Sequence, residues 1–160
     1  MKPMQTSRVQ LALNVADIDA ATRFYRDMFG VEPAKERPGY ANFEIVDPPL
    51  KLVLFEQPSA ASPLNHLGVE VMSSTDVVAA ADRFRTAGLA HRITESDRCC
   101  HAVQDKVWVD APDVPLGAWE FYVVLADDTS EGADGGESTC SSTAPTQGAA
   151  CCSDTPVDAR

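Results

Sequence analysis

Val9-Gln10-Leu11-Ala12-Leu13-Asn14-Val15 decides the fold, because Asn65-His66-Leu67-Gly68-Val69-Glu70-Val71 takes up the same role further along the chain. Each stretch alternates enough to be a strand with one buried face. Behind the first, Asp17 has the chemistry of an N-cap, Ile18, Ala21, Phe24 and Met28 follow at helical spacing, and Gly30 is a stop. Residues 40–45 and 51–56 then read as two strands separated by Asp47-Pro48-Pro49. Behind the second, Ser74 or Thr75 can cap a helix carrying Val77, Ala80 and Phe84, with Gly88 as its stop. Strand-like runs follow at 89–94, around Val103, at 106–109 and at 119–125, and residues 58–63 form a small-residue linker between the copies. The repeat distance of roughly 56–58 residues is too long, and two copies too few, for a solenoid. The order of events predicts an α+β domain of two tandem βαβββ modules, about 8–57 and 64–126, whose sheet closes around a cleft.

Aligning the copies places polar residues in that cleft. Setting Val9-Gln10-Leu11 against Asn65-His66-Leu67 puts Gln10 opposite His66 at the start of the lead strands. Setting Pro49-Leu50 against Pro115-Leu116 puts Leu54 opposite Glu120 on the last strands. The cleft then offers an amide, an imidazole and a carboxylate, while the fourth corner, Leu54, coordinates nothing. Such a set suits Fe(II), Mn(II), Ni(II) or Zn(II), and three protein ligands on an octahedral metal leave three positions open. Taken singly, His66 reads as a core histidine and Gln10 as a polar strand residue. Glu120, inside Trp119-Glu120-Phe121-Tyr122, either holds a cation or faces solvent, because an unpaired buried carboxylate is costly. His91 and His101 read as surface or loop residues.

The run Asp97-Arg98-Cys99-Cys100-His101 carries two adjacent thiols. Adjacent cysteines close a disulfide only with strain, and zinc sites usually space theirs two to four residues apart. A soft, pyramidal ion that takes two thiolates at a tight angle suits the pair, and trivalent arsenic is such an ion. In R–As(OH)2 two thiols can displace the two oxygens while the carbon–arsenic bond stays. The alternative is incidental adjacency in a loop. Arg98, His101 and Lys106 are the accessory groups whose charge can tune these thiols.

These residues together resemble the vicinal-oxygen-chelate superfamily, the glyoxalase, bleomycin-resistance and extradiol-dioxygenase fold. More closely, they resemble its carbon–arsenic lyase branch, whose members are often labelled cadmium-induced proteins. The match is carried by residues 8–15, Phe24-Tyr25, Phe29-Gly30, residues 37–43, 47–54 and 64–70, Cys99-Cys100 through Val109, and residues 119–122. The resemblance implies Fe(II)- and dioxygen-dependent cleavage of the carbon–arsenic bond in methylarsenite and reduced aromatic arsenicals, with release of arsenite. It implies Gln10, His66 and Glu120 as iron ligands, with nickel, cobalt or zinc able to substitute, and Cys99 and Cys100 as the arsenic-binding pair. One departure stands out: the branch tends to place a tyrosine after the pair, where this chain has His101.

Composition bounds what else the chain can be. Of 24 acidic and 13 basic residues, net −11, the stretch 127–160 holds seven acids and one base, Arg160. The balance argues against nucleic acid and anionic membranes as partners. No charged start and apolar run precede the first strand, so the expected location is the cytoplasm, with reduced thiols. The expected partner is a small trivalent organoarsenical, and the expected state a monomer or homodimer. Residues 127–160 are rich in Gly, Ser, Thr and acid, which predicts a disordered tail. It carries Cys140 and a second adjacent pair, Cys151-Cys152, readable as a thiol tether or as incidental. Two other functions stay in view: a thiol-based protein that sequesters arsenite or cadmium without chemistry, and another dioxygenase of the same superfamily.

Overall fold

In the computed structural model, residues 6–99, 101–112 and 118–127 are described. Cys100, Cys140, Cys151 and Cys152, and residues 128–160 of the tail expected to be disordered, lie outside them, while its first residue, Asp127, ends β8. The elements run β1 (Arg8–Val15), α1 (Ile18–Phe29), β2 (Lys35–Arg37), β3 (Tyr40–Ile45), β4 (Leu50–Glu56), β5 (Leu64–Glu70), α2 (Ser74–Thr86), β6 (His91–Cys99), β7 (Ala102–Asp110) and β8 (Ala118–Asp127). The order strand, helix, three strands occurs twice. All eight strands join one mixed sheet in the order β2-β3-β4-β1-β5-β8-β7-β6.

The two lead strands meet at its centre. β1 and β5 are antiparallel with Gln10 opposite Gly68 and Ala12 opposite His66. Each then pairs in parallel with the last strand of its own module, Ala12 against Val53 and Gly68 against Glu120. The sheet curls so that its first strand nears its far end. Lys35 on β2 donates to the carbonyl of His101 at 2.9 Å and pairs with Asp127 on β8.

The strand period of two sends alternate side chains to opposite faces. Outside, α1 covers Ala41, Phe43, Ile45, Leu52 and Leu54, and α2 covers Val107, Val109 and Val123. Asp17 caps α1 by accepting from Ala20 N–H, and Gly30 ends it with φ +67°, a left-handed angle that suits glycine. Ile18, Ala21, Tyr25 and Phe29 pack against the core. Phe24 and Met28, expected on that stripe, are 60% and 61% exposed, because they project one residue to the side of it. The cap of α2 is Ser73, whose hydroxyl accepts from Asp76 N–H, one residue before the expected Ser74. Ser74 instead donates to Asp105 on β7 at 2.6 Å. Among the described residues no helix is long and apolar enough to cross a membrane.

Candidate metal and substrate site

The inner face of the curl is a polar cleft. β1 contributes Arg8 and Gln10, β3 Tyr40 and Asn42, β4 Lys51, Val53 and Phe55, β5 His66 and Glu70, and β8 Glu120 and Tyr122. They line a cavity of about 450 Å³.

Gln10, His66 and Glu120 are each 4% exposed and meet at one point. Gln10 Nε2 lies 2.7 Å from Glu120 Oε1 and 2.9 Å from His66 Nε2, and His66 Nε2 lies 3.1 Å from Glu120 Oε1. These are hydrogen-bond distances, and neighbouring ligands about 2.1 Å from one octahedral ion also stand about 3 Å apart, so the three groups are close enough to fit a shared cation. Among the described residues no group of three His, Cys, Asp or Glu side chains forms a metal cluster; the third donor of this set is an amide. Turning the Gln10 amide over exchanges its N and O without moving other atoms, and presents the oxygen to a cation.

The supporting contacts fix the imidazole. Asn14 Nδ2 donates to the Ser62 carbonyl at 3.0 Å, which sets the Asn14 oxygen toward Asn65 Nδ2 at 2.8 Å. That orients Asn65 Oδ1 to accept from His66 Nδ1 at 2.7 Å. The chain of amides commits Nδ1–H and leaves Nε2 aimed at the cleft, the arrangement a ligating histidine needs. Glu120 turns Oε2 the other way, 3.7 Å from Lys106 Nζ. Burial pushes the Glu120 carboxyl up, but His66, the Lys106 ammonium and the Gln10 amide more than reverse this, and it sits below the usual carboxylate range.

The fourth corner differs from the sequence alignment by one residue. In the observed registers Ala12 faces Val53 as Gly68 faces Glu120, so Val53 is the mate of Glu120. Leu54 packs outward in the core beneath α1. A one-residue slip reverses the face of a strand residue; the corner is still apolar.

The β6–β7 hairpin reverses between Cys99 and Ala102, and Ala102 lines the cavity. His101, at φ +64°, sets its ring edge-on to Tyr40 with centroids 5.1 Å apart. Ala102, at the start of β7, and His101 before it therefore stand beside the cavity. Lys106 is 1% exposed and its ammonium lies 3.1 Å from Asp97 Oδ2 as well as near Glu120. Arg98 pairs with Val103 in the ladder. His91 bonds the Leu89 carbonyl at 2.8 Å, outside the cleft.

Several residues of the site went unread in the sequence: Asn65 and Asn14 behind His66, Gly68 between Gln10 and Glu120, and Tyr122. A carbon placed on Gly68 would lie 2.9 Å from Glu120 Cγ, 3.1 Å from its carbonyl and 3.4 Å from Gln10 Cβ, so only glycine lets these side chains converge.

Residues 8–113 match the Glyoxalase/Bleomycin resistance protein/Dioxygenase superfamily. The chain belongs to this superfamily. Its relatives include the cadmium-induced protein CadI of Mycobacterium tuberculosis, 56% identical over 79% of this chain and 82% of that protein. A trivalent organoarsenical cleaving enzyme of Thermomonospora curvata is 53% identical over 84% of this chain and 87% of its own length. Homoprotocatechuate 2,3-dioxygenase from Arthrobacter globiformis shares the superfamily's fold at 22% identity, with a TM-score of 0.53 over 78% of this chain and 38% of the dioxygenase. The curled eight-stranded sheet with two helices is the vicinal oxygen chelate fold.

Proposed function

We propose that this chain is a non-haem Fe(II)-dependent enzyme that uses dioxygen to cleave the carbon–arsenic bond of trivalent organoarsenicals, releasing arsenite. The observation that carries the reading is the convergence of Gln10, His66 and Glu120 within about 3 Å of one another, beside a hairpin bearing Cys99. The 53% identity to an organoarsenical cleaving enzyme supports the same reaction class.

Gln10 Oε1, His66 Nε2 and Glu120 Oε1 would hold the metal, with nickel, cobalt or zinc as possible occupants in a preparation. Fe(II) bound there supplies the redox chemistry that activates dioxygen. The chain supplies the rest. Cys99 and Cys100 capture R–As(OH)2 by forming two sulfur–arsenic bonds and releasing two waters. Capture makes the encounter intramolecular, which is worth several kcal/mol of barrier when the geometry is right. Asn65 holds the His66 ring, and Lys106 holds the outer oxygen of Glu120 away from the cleft, leaving one oxygen to bind. Residues 1–126 act as the catalytic domain. The tail from residue 127, with Cys140, Cys151 and Cys152, serves as an accessory thiol tether. The working location is the cytoplasm.

The test is direct. The protein is loaded with Fe(II) under anaerobic conditions and given methylarsenite, then air. Arsenite should appear only after air is admitted, and Glu120→Ala should abolish it while arsenical binding persists. Binding without arsenite release from the wild type would leave a sequestering protein instead.

A further inference from the structure

One bulge sets which residues of β6 stand opposite the cavity wall. Along β6 and β7, Thr94 pairs with Lys106 and Asp97 with Gln104, so Glu95 and Ser96 stand against Asp105 alone. The extra residue shifts every later pairing by one. Beyond it, Arg98 pairs with Val103 and Cys99 with Ala102. Ala102 and Gln104 line the cavity. An uninterrupted ladder would set Ser96 against Gln104 and Arg98 against Ala102 instead. The bulge therefore has two effects. It brings Cys99 to the register position across from the cavity wall. It also brings Asp97 to the row of Gln104, from which its carboxylate reaches Lys106 Nζ at 3.1 Å.

What holds the bulge lies on the helix side of the sheet. Ser96 sits at φ +51°, a left-handed angle that a residue with a side chain keeps only where its surroundings hold it. Its N–H donates to Asp105 Oδ1 at 2.9 Å, and the other oxygen of that carboxylate accepts from the Ser74 hydroxyl at 2.6 Å. Ser74 opens α2, the helix that covers Val107 and Val109. Asp105 alternates with the inward-facing Gln104 and Lys106, which places it on that same outer face. Neither Asp105 nor Ser74 is among the described residues that line the cavity. Asp105 also acts against the alternative register. An uninterrupted ladder would set it directly opposite Glu95, and like charges so placed repel.

We propose that Asp105 and Ser74 are positioning residues for arsenical capture: from outside the cleft they pin the bulge that sets Cys99, rather than Arg98, opposite Ala102. Without the carboxylate, Ser96 loses the acceptor that holds its left-handed backbone, and Glu95 loses the charge that opposes it in the slipped register. β6 then gains a continuous ladder by slipping one residue. Cys99 leaves its place opposite Ala102, and Asp97 leaves the row of Gln104. This rests on the reading of the chain as an organoarsenical-cleaving enzyme in which Cys99 and Cys100 bind the arsenic.

The test uses full-length, reduced protein, metal-free for nuclear magnetic resonance and Fe(II)-loaded for turnover of methylarsenite. Cross-strand nuclear Overhauser contacts in the wild type should join Cys99 to Ala102. In Asp105→Ala they should join Arg98 to Ala102. The kcat for arsenite release should fall about 100-fold, as for an ångström-scale misplacement, with KM moved less than about threefold because both thiols remain. Ser74→Ala removes only the outer bond; it should lower kcat about three- to tenfold, and it stands in if Asp105→Ala fails to fold. Deleting Ser96 from Asp105→Ala removes the extra residue, so a regular ladder again sets Cys99 opposite Ala102. Its kcat should return to within about threefold of the wild type, a rescue that a general loss of stability does not give. Cys99 still opposite Ala102 in Asp105→Ala, a slipped strand that turns over at the wild-type rate, or a deletion that fails to rescue would overturn the proposal and leave carbon–arsenic cleavage standing. No arsenite from the wild type would sink the functional reading, and this inference with it, whatever register the contacts report.

Discussion

Glu120 shows how much one side chain is asked to do. One oxygen faces Gln10 and His66 and the other faces Lys106, so its rotamer is set from two sides. Lys106→Met removes a fully buried cation from between Asp97 and Glu120. Chemical denaturation should show a loss of about 3 kcal/mol, because each carboxylate is left undercompensated. Metal titration of the same variant should show weaker binding, since the outer oxygen is no longer held. Gly68→Ala should be as severe for another reason: the new methyl meets Glu120 Cγ at 2.9 Å. A destabilisation of about 1–3 kcal/mol is expected from such overpacking, with metal affinity down at least about tenfold, as for loss of supporting contacts. The pH dependence has a definite sign. The Glu120 carboxyl is held below the usual range, so its contribution to stability is complete above the unfolded-state value and is lost only as pH falls through the lower folded one. The stability gap between metal-free wild type and Glu120→Gln should stay flat from neutrality down to the usual carboxylate range and narrow below it. A gap that closes between pH 7 and 6 would contradict this. At this scale the convergence of Gln10, His66 and Glu120 was legible in the sequence, because the paired lead strands carry Gln10 and His66 at matched positions. Tyr122 was not, because inside Trp119-Glu120-Phe121-Tyr122 it reads as one more core aromatic.

Among the elements, signals local in sequence were read best. Asp17 and Gly30 bound α1 as their chemistry predicts, and Tyr40–Ile45 is β3. What failed depends on partners distant in sequence. β2 is three residues of Lys-Glu-Arg, with no apolar period, and exists because β3 offers it a ladder. β6 runs on to Cys99 past an irregularity between Thr94 and Asp97, where Ser96 has φ +51° and its N–H is bound by Asp105 at 2.9 Å. Nothing in the polar run Glu95-Ser96-Asp97 announces a strand. The exchange of Leu54 for Val53 arose because an alignment on prolines carries no register. Register comes from the ladder. At this scale α1 supports the sheet from outside and touches nothing in the cleft. Asp17→Ala should cost about 1 kcal/mol through loss of the cap and leave metal affinity unchanged; thermal denaturation and metal titration on one sample check both.

For the molecule as a whole, a sheet with two pseudo-equivalent halves need not have two equivalent sites. The mate of Glu120 is Val53 and the mate of Tyr122 is Phe55, so the symmetry builds one cleft and the sequence makes it chemically one-sided. The curl is closed by Lys35, which joins β2 to the hairpin carbonyl of His101 and to Asp127 at the end of β8. A chain ended after Asp127 keeps that contact, and one ended after Ala126 loses it. The first should retain carbon–arsenic cleavage at near full-length rates. A complete loss of turnover with folding preserved would assign the acidic tail a catalytic part. The measurement that bears most directly on a thiol pair and a three-donor metal face acting on the same molecule is the stoichiometry of the reaction. With Fe(II)-loaded protein and methylarsenite, oxygen consumed and arsenite released should be equal, and both should vanish in Cys99→Ser and in Glu120→Ala. Arsenite formed without oxygen uptake, or oxygen uptake and arsenite release that continue without either residue, would contradict it.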